Sequence, residues 1–167
     1  FSSRRRHTRY WRDWEFRRVL FRSKNPEVRV TVKNRIEDLL RVNSVFESFA
    51  TQHDIGGRLR YHLLVSIEEI LTNIIKYGFD EEGIHPIHVT FRHNQGQIEM
   101  EFEDRGREFN PPEIEEPDLD TPIENRQLGG LGIHLVRQMM DEAKYRREGD
   151  KNILMLRKSK TAPTGAN

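Results

Sequence analysis

The 167-residue chain is long enough for one domain with a hydrophobic core and short for two, and its 28 Lys and Arg nearly balance its 27 Asp and Glu. A net charge of +1 gives no general attraction to nucleic acid or to an anionic membrane, and the lack of cysteine excludes a disulfide framework and a thiolate metal site. No apolar run approaches the roughly 18 residues needed to cross a bilayer, so the expectation is a cytoplasmic protein with neither nucleic acid nor membrane as partner.

Residues 1–24 are rich in Arg and aromatic rings and show neither helical nor strand periodicity. That composition suits an RNA-binding arm. The stretch also resembles translated sequencing-adapter read-through, and its basic start has no apolar run behind it as a secretory signal would. It is therefore expected to be a disordered or artefactual basic leader to a domain over 25–160, with 161–167 a flexible tail.

From Pro26 onward the pattern is orderly. Val28, Val30 and Val32 alternate with Arg29, Thr31 and Lys33, which predicts a half-buried strand. Ile36, Leu39, Leu40, Val42, Phe46 and Phe49 then mark an amphipathic helix expected to stop near Gly56-Gly57. A second helix is predicted over Arg58–Tyr77, with Leu59, Leu63, Ile67, Ile70, Leu71 and Ile74 on one side and Gly78 as its cap. The segments Ile87–Phe91 and Ile98–Phe102 alternate as two strands joined through Asn94-Gln95-Gly96-Gln97. Residues 107–128, acidic and holding four prolines, read as a long loop, a length usually functional or mobile. Gly129-Gly130-Leu131-Gly132 opens a helix to about Met140, and strands close the chain around Ala143–Arg147 and Asn152–Arg157. This order is not that of a doubly wound parallel sheet; it suggests helices on one face of a mostly antiparallel one.

Three motifs carry chemistry. Glu69 and Asn73 lie four residues apart on the second helix, outside its apolar arc, and so project side by side. A carboxylate beside an amide oxygen suits a nucleotide site, with Asn73 a hard oxygen ligand for Mg²⁺ and Glu69 able to orient or deprotonate an attacking hydroxyl. The same pair also fits an ordinary solvated helix face. Asp104-Arg105-Gly106-Arg107-Glu108-Phe109 follows a strand; the carboxylate can accept the exocyclic amine of adenine and the glycine admits a flat base, while Asp-x-Gly is equally common turn chemistry. Gly129-Gly130-Leu131-Gly132 begins a helix whose free N–H groups favour a phosphate, or it is a flexible hinge. The motif is not a dinucleotide fingerprint, since a proline-rich loop precedes it where a strand should be. His85 and His88 are close in sequence but lack acidic co-ligands, and no Gly-x-Ser-x-Gly elbow is present.

Together, in this order, the motifs resemble the N, G1 and G2 boxes of the GHKL ATPases. The words Ser-Ile-Glu-Glu-Ile-Leu-Thr-Asn-Ile-Ile-Lys-Tyr-Gly (66–78) and Gly-Gly-Leu-Gly-Ile-His-Leu-Val-Arg-Gln-Met-Met-Asp (129–141) are similar to the anti-sigma-factor serine/threonine kinase branch. The resemblance implies an α+β fold of Bergerat type, a two-layer sandwich with a mixed, mostly antiparallel sheet, helices on one face and a mobile ATP lid at Asn110–Gln127. It implies ATP and Mg²⁺ as cofactors, Glu69 as catalytic base, Asn73 as magnesium ligand and Asp104 as adenine reader. Gly106, Gly130 and Gly132 become backbone-contact positions, with Gly129, Leu131 and Phe109 completing the boxes and Lys76 one turn beyond Asn73 within reach of a phosphate. The implied function is phosphorylation of a STAS-domain anti-anti-sigma partner, with a sigma factor as a further partner and homodimers common in the branch. Two other functions remain open from the residues: a switch that sequesters its regulator without phosphorylating it, and a scaffold that has lost its nucleotide.

Overall fold

The valine alternation at the start of the domain continues strand by strand across a single sheet. In the computed structural model, which describes residues 26–109 and 131–160, the strands are β1 (Glu27–Lys33), β2 (Pro86–Asn94), β3 (Gln97–Asp104), β4 (Glu142–Glu148) and β5 (Lys151–Ser159). Their spatial order is β1-β2-β3-β5-β4, and every pair is antiparallel. The sheet is thus antiparallel throughout the described residues, with no parallel pair of a mixed sheet among them. The leader 1–24, the lid 110–127, Gly129, Gly130 and the tail 161–167 lie outside the described residues.

Register explains which face is wet. Val30, Val89, Phe102, Leu154 and Tyr145 stand opposite one another in successive strands, as do Val28, Phe91, Met100, Leu156 and Ala143. These rows form the dry face, because side chains two apart share a side of the pleat. The other face carries charges: Arg92 bonds Glu27, Glu99 and Glu101, and Arg157 bonds Glu99 and Glu142.

Three helices cover the dry face: α1 (Leu39–Gln52), α2 (Gly57–Tyr77) and α3 (Leu131–Met139). Phe46 and Phe49 of α1 bring their rings to 5.4 and 5.9 Å from that of Phe91. From α2, Leu63, Ile67, Ile70, Leu71 and Ile74 are buried, and from α3 Ile133 and Val136. The two-layer α+β architecture expected from the resemblance is therefore present.

The first helix differs from its predicted span at both ends. Ile36–Asp38 is a separate 3₁₀ turn, and α1 ends at Gln52 instead of running to the glycines. Termination falls to Asp54, in the left-handed region at φ 53°, with Ile55 N–H donating to Ala50 O (2.8 Å) and Asp54 N–H to Thr51 O (3.4 Å). This is a Schellman closure, and the apolar residue that follows it, Ile55, is buried. Aspartate tolerates this backbone, so no glycine was needed. The β2–β3 hairpin turns on Gln95 and Gly96, both at positive φ as a two-residue turn of type I′ demands.

Candidate functional site

Burying one side of α2 leaves its other side at the edge of an open cleft between the C-terminal half of that helix and the ends of β3, β4 and β5. Asn73, Ile74 and Tyr77 line it from the helix, Asp104 and Phe109 from the end of β3, and Leu154 from the sheet floor. Such a pocket, apolar with few polar groups, suits a flat heterocycle.

Asp104 is the buried charge of the cleft, 6% exposed. Its Oδ1 accepts from Gly106 N–H (2.7 Å) and from Asn152 Nδ2 (2.9 Å), whereas Oδ2 has no hydrogen bond among the described residues. Burial pushes the Asp104 carboxyl above the ordinary aspartate range, and the Asn152 and Gly106 bonds, with Arg147, oppose that rise. A free carboxylate oxygen in an apolar cleft is an acceptor awaiting an N–H donor.

Asn73 and the two neighbouring glutamates divide by what they touch. Glu68 accepts from Asn43 Nδ2 (2.9 Å) and ties α2 to α1. Asn73 donates from Nδ2 to Glu69 O one turn back (2.8 Å), which leaves its Oδ1 as the outward group on the cleft wall. A hard oxygen so placed fits Mg²⁺. Glu69 is half-buried and reaches the start of α3, where a Cβ built on Gly132 would lie 2.7 Å from the Glu69 carboxyl carbon. The first turn of α3 thus runs close against the Glu69 carboxylate, which a side chain on Gly132 would push aside.

Gly106 has a comparable explanation. A Cβ there would stand 2.8 Å from the Gly78 carbonyl carbon, and the next residue, Arg107, donates its N–H to Gly78 O (2.7 Å). The turn after β3 is thus packed directly on the capped end of α2, where Gly78 keeps a right-handed φ of −78°.

The predicted residues separate accordingly. Asn73, Asp104 and Phe109 meet in the cleft, with Gly106 immediately behind Asp104. Glu69 and Gly132 meet one turn away, while Lys76 is exposed and does not line the cleft. Leu131 is the first residue of α3. Asn152, Tyr145 and Arg147 were missed by sequence reasoning. The available signal was the polar Asn152 in the inward row that continues with Leu154 and Leu156. The histidines hold other posts: His85 stacks on Phe79 at 4.4 Å and His88 bonds Thr31. Among the described residues no group of three or more His, Cys, Asp or Glu could hold a metal, and no helix is long and apolar enough to cross a membrane.

An antiparallel sheet under helices thus carries a buried Asp at a strand end in one cleft with a helix-borne Asn. The histidine kinase-like ATPase domain matches residues 17–158, and the chain belongs to that family. Among characterised proteins it is 30% identical over 110 residues to the serine/threonine-protein kinase BtrW of Bordetella bronchiseptica, covering 66% of this chain and 78% of BtrW. It is 26% identical over 97 residues to the serine-protein kinase RsbW of Oceanobacillus iheyensis, covering 56% of this chain and 61% of that kinase. It is 30% identical over 92 residues to RsbW of Listeria monocytogenes, covering 52% of this chain and 59% of that protein. The matched regions thus span about three fifths of those RsbW kinases. The structure of the RsbU and RsbW domains of a Mycobacterium tuberculosis protein superposes with a TM-score of 0.52 at 14% identity, over 80% of this chain and 32% of that one, a likeness of fold.

Proposed function

We propose that the chain is an ATP-dependent protein serine kinase of the anti-sigma type, acting on a STAS-domain anti-anti-sigma factor. The observation that carries this is the meeting in one cleft of an acceptor for adenine (Asp104 Oδ2) and an oxygen ligand (Asn73 Oδ1), with a carboxylate (Glu69) one helical turn from Asn73 beside the start of α3. The names of BtrW and the RsbW proteins support the reaction class.

In this reading Asp104 accepts the exocyclic amine of adenine, and Phe109 and Leu154 contact the rings. Asn73 would hold Mg²⁺, whose chemistry is to neutralise and orient the phosphates. The backbone N–H groups at the start of α3 face the phosphate charge, because helix N-termini carry unpaired donors. Glu69 takes the proton of the partner's serine hydroxyl as the oxygen to γ-phosphorus bond forms and the bond to the β-phosphate breaks, releasing ADP. Catalysis is mainly positioning and charge neutralisation, with the base contributing about 10²–10⁴-fold.

Incubating the chain with labelled ATP, Mg²⁺ and a STAS-domain anti-anti-sigma protein tests the reaction. Glu69→Ala should lower transfer at least about 100-fold while ATP affinity stays within about threefold. Transfer undiminished in that variant, or none from a folded wild type that binds ATP, would overturn the proposal. A regulator that works only by sequestration would keep partner control in the same variant.

A further inference from the structure

We propose that Asn152 is the positioning residue for base discrimination: it locks the Asp104 carboxylate through Oδ1, so that Oδ2 is presented to a 6-amino purine and refuses a 6-oxo one. The inference rests on reading the cleft as an adenine-nucleotide site.

Asn152 is 5% exposed and occupies an inward position of β5 where Leu154 and Leu156 follow, so packing alone would be served by an aliphatic side chain. It instead anchors both sides of the cleft floor. Its Nδ2 donates to Asp104 Oδ1 (2.9 Å), Arg107 O (2.9 Å) and Gly106 O (3.3 Å). Its Oδ1 accepts from Tyr145 Oη (2.8 Å) and Arg147 Nη1 (2.5 Å). The orientation of the amide is thereby fixed, because turning it over would set its N–H₂ against the Arg147 guanidinium, donor against donor. Arg147 is held in turn, since Nη1 also donates to Gly106 O (3.2 Å).

The consequence falls on Asp104. Both of its hydrogen bonds converge on Oδ1, so the carboxylate cannot rotate without losing them, and Oδ2 is the oxygen left for a ligand in the cleft that Asp104 lines. An ionised oxygen accepts from a 6-amino group and repels the lone pairs of a 6-oxo group. A protonated Asp104 would reverse this, since its O–H can donate to a 6-oxo oxygen. Asn152 therefore acts twice, by orientation and by favouring the ionised form. Around Asp104 the charged or titratable groups are Arg147 and Tyr145 from β4, Arg107 from the turn after β3 and Tyr77 from α2.

The test is calorimetric titration of the full chain with Mg²⁺-ATP and Mg²⁺-GTP between pH 5 and 8, comparing wild type with Asn152→Leu. Leucine shares the branching at Cγ and cannot hydrogen-bond. The expected result is a loss of about tenfold in the ATP-to-GTP affinity ratio, with the acid limb of ATP binding displaced to higher pH. Tyr145→Phe, which takes one hydroxyl from Asn152, should move both readouts the same way by a smaller factor. A folded Asn152→Leu protein with the wild-type ratio and acid limb overturns the proposal. If that variant does not fold, an unchanged ratio in Tyr145→Phe does so. Failure of the wild type to bind ATP would sink the underlying reading of the cleft, whereas wild-type binding of ATP no tighter than GTP sinks only the discrimination.

Discussion

Asp104 carries an ionic cost that only a ligand recovers. Its carboxyl lies above the ordinary 3.8 because burial opposes the charge, so the folded state binds a proton more readily than the unfolded chain. Stability from this residue is therefore full below 3.8 and lost as pH rises through the raised value. Asp104→Asn keeps an Oδ1 acceptor for Gly106 and Asn152 and removes the charge. At pH 7 without nucleotide it is expected to melt no lower than the wild type in calorimetry, while ATP affinity falls at least about tenfold. Gly106→Ala should act oppositely, costing about 1–3 kcal/mol in chemical denaturation because its Cβ meets the Gly78 backbone. Asp104 and Asn73 were legible in the sequence as a strand-end acid and a helix-borne amide. Asn152 was not, because its role exists only where β5 is laid between β3 and β4.

At the scale of elements, α1 shows how far a hydrophobic pattern reaches. Leu40 and Phe46 both read as members of one apolar face, yet Leu40 is 75% exposed and Phe46 is 0% exposed. Phe46→Ala should cost about 3–5 kcal/mol in urea unfolding, and Leu40→Ala no more than about 0.5 kcal/mol. Six residues at about 100° each set Leu40 about 120° from Phe46 around α1, outside the face that meets the sheet. The strands were easier to read, since a period of two assigns every residue to a face once one residue is assigned. Helix ends were harder: Asp54 stops α1 in a conformation that the sequence suggests for the glycines two residues later.

For the whole molecule, the charged outer face sets the acid response. Burial disfavours ionised Glu99, but hydrogen bonds from Arg157 and Arg92 outweigh it and hold its carboxyl below the usual 4.5; Glu103 is likewise held down, through Lys151. These groups stabilise the fold above about pH 4.5, and the contribution is lost as pH falls through their lowered values, opposite in sign to Asp104. Glu99→Gln should flatten the decline in melting temperature below pH 4.5. Nucleotide adds a second control, since ATP with Mg²⁺ at 100 times its Kd should stabilise the domain by about 2.7 kcal/mol in thermal unfolding. The sequence by itself determined the strands, the apolar side of α2 and the placing of Glu69 and Asn73 on a helix and Asp104 at a strand end, because periodicity and motif spacing are local properties of a chain. Only the tertiary structure decided that Gly106 packs on Gly78, that the carboxylate of Glu69 meets Gly132, and that Asn152 fixes Asp104. Those contacts join residues far apart in sequence, and what each can do depends on distances and burial that arise when the sheet closes against its helices.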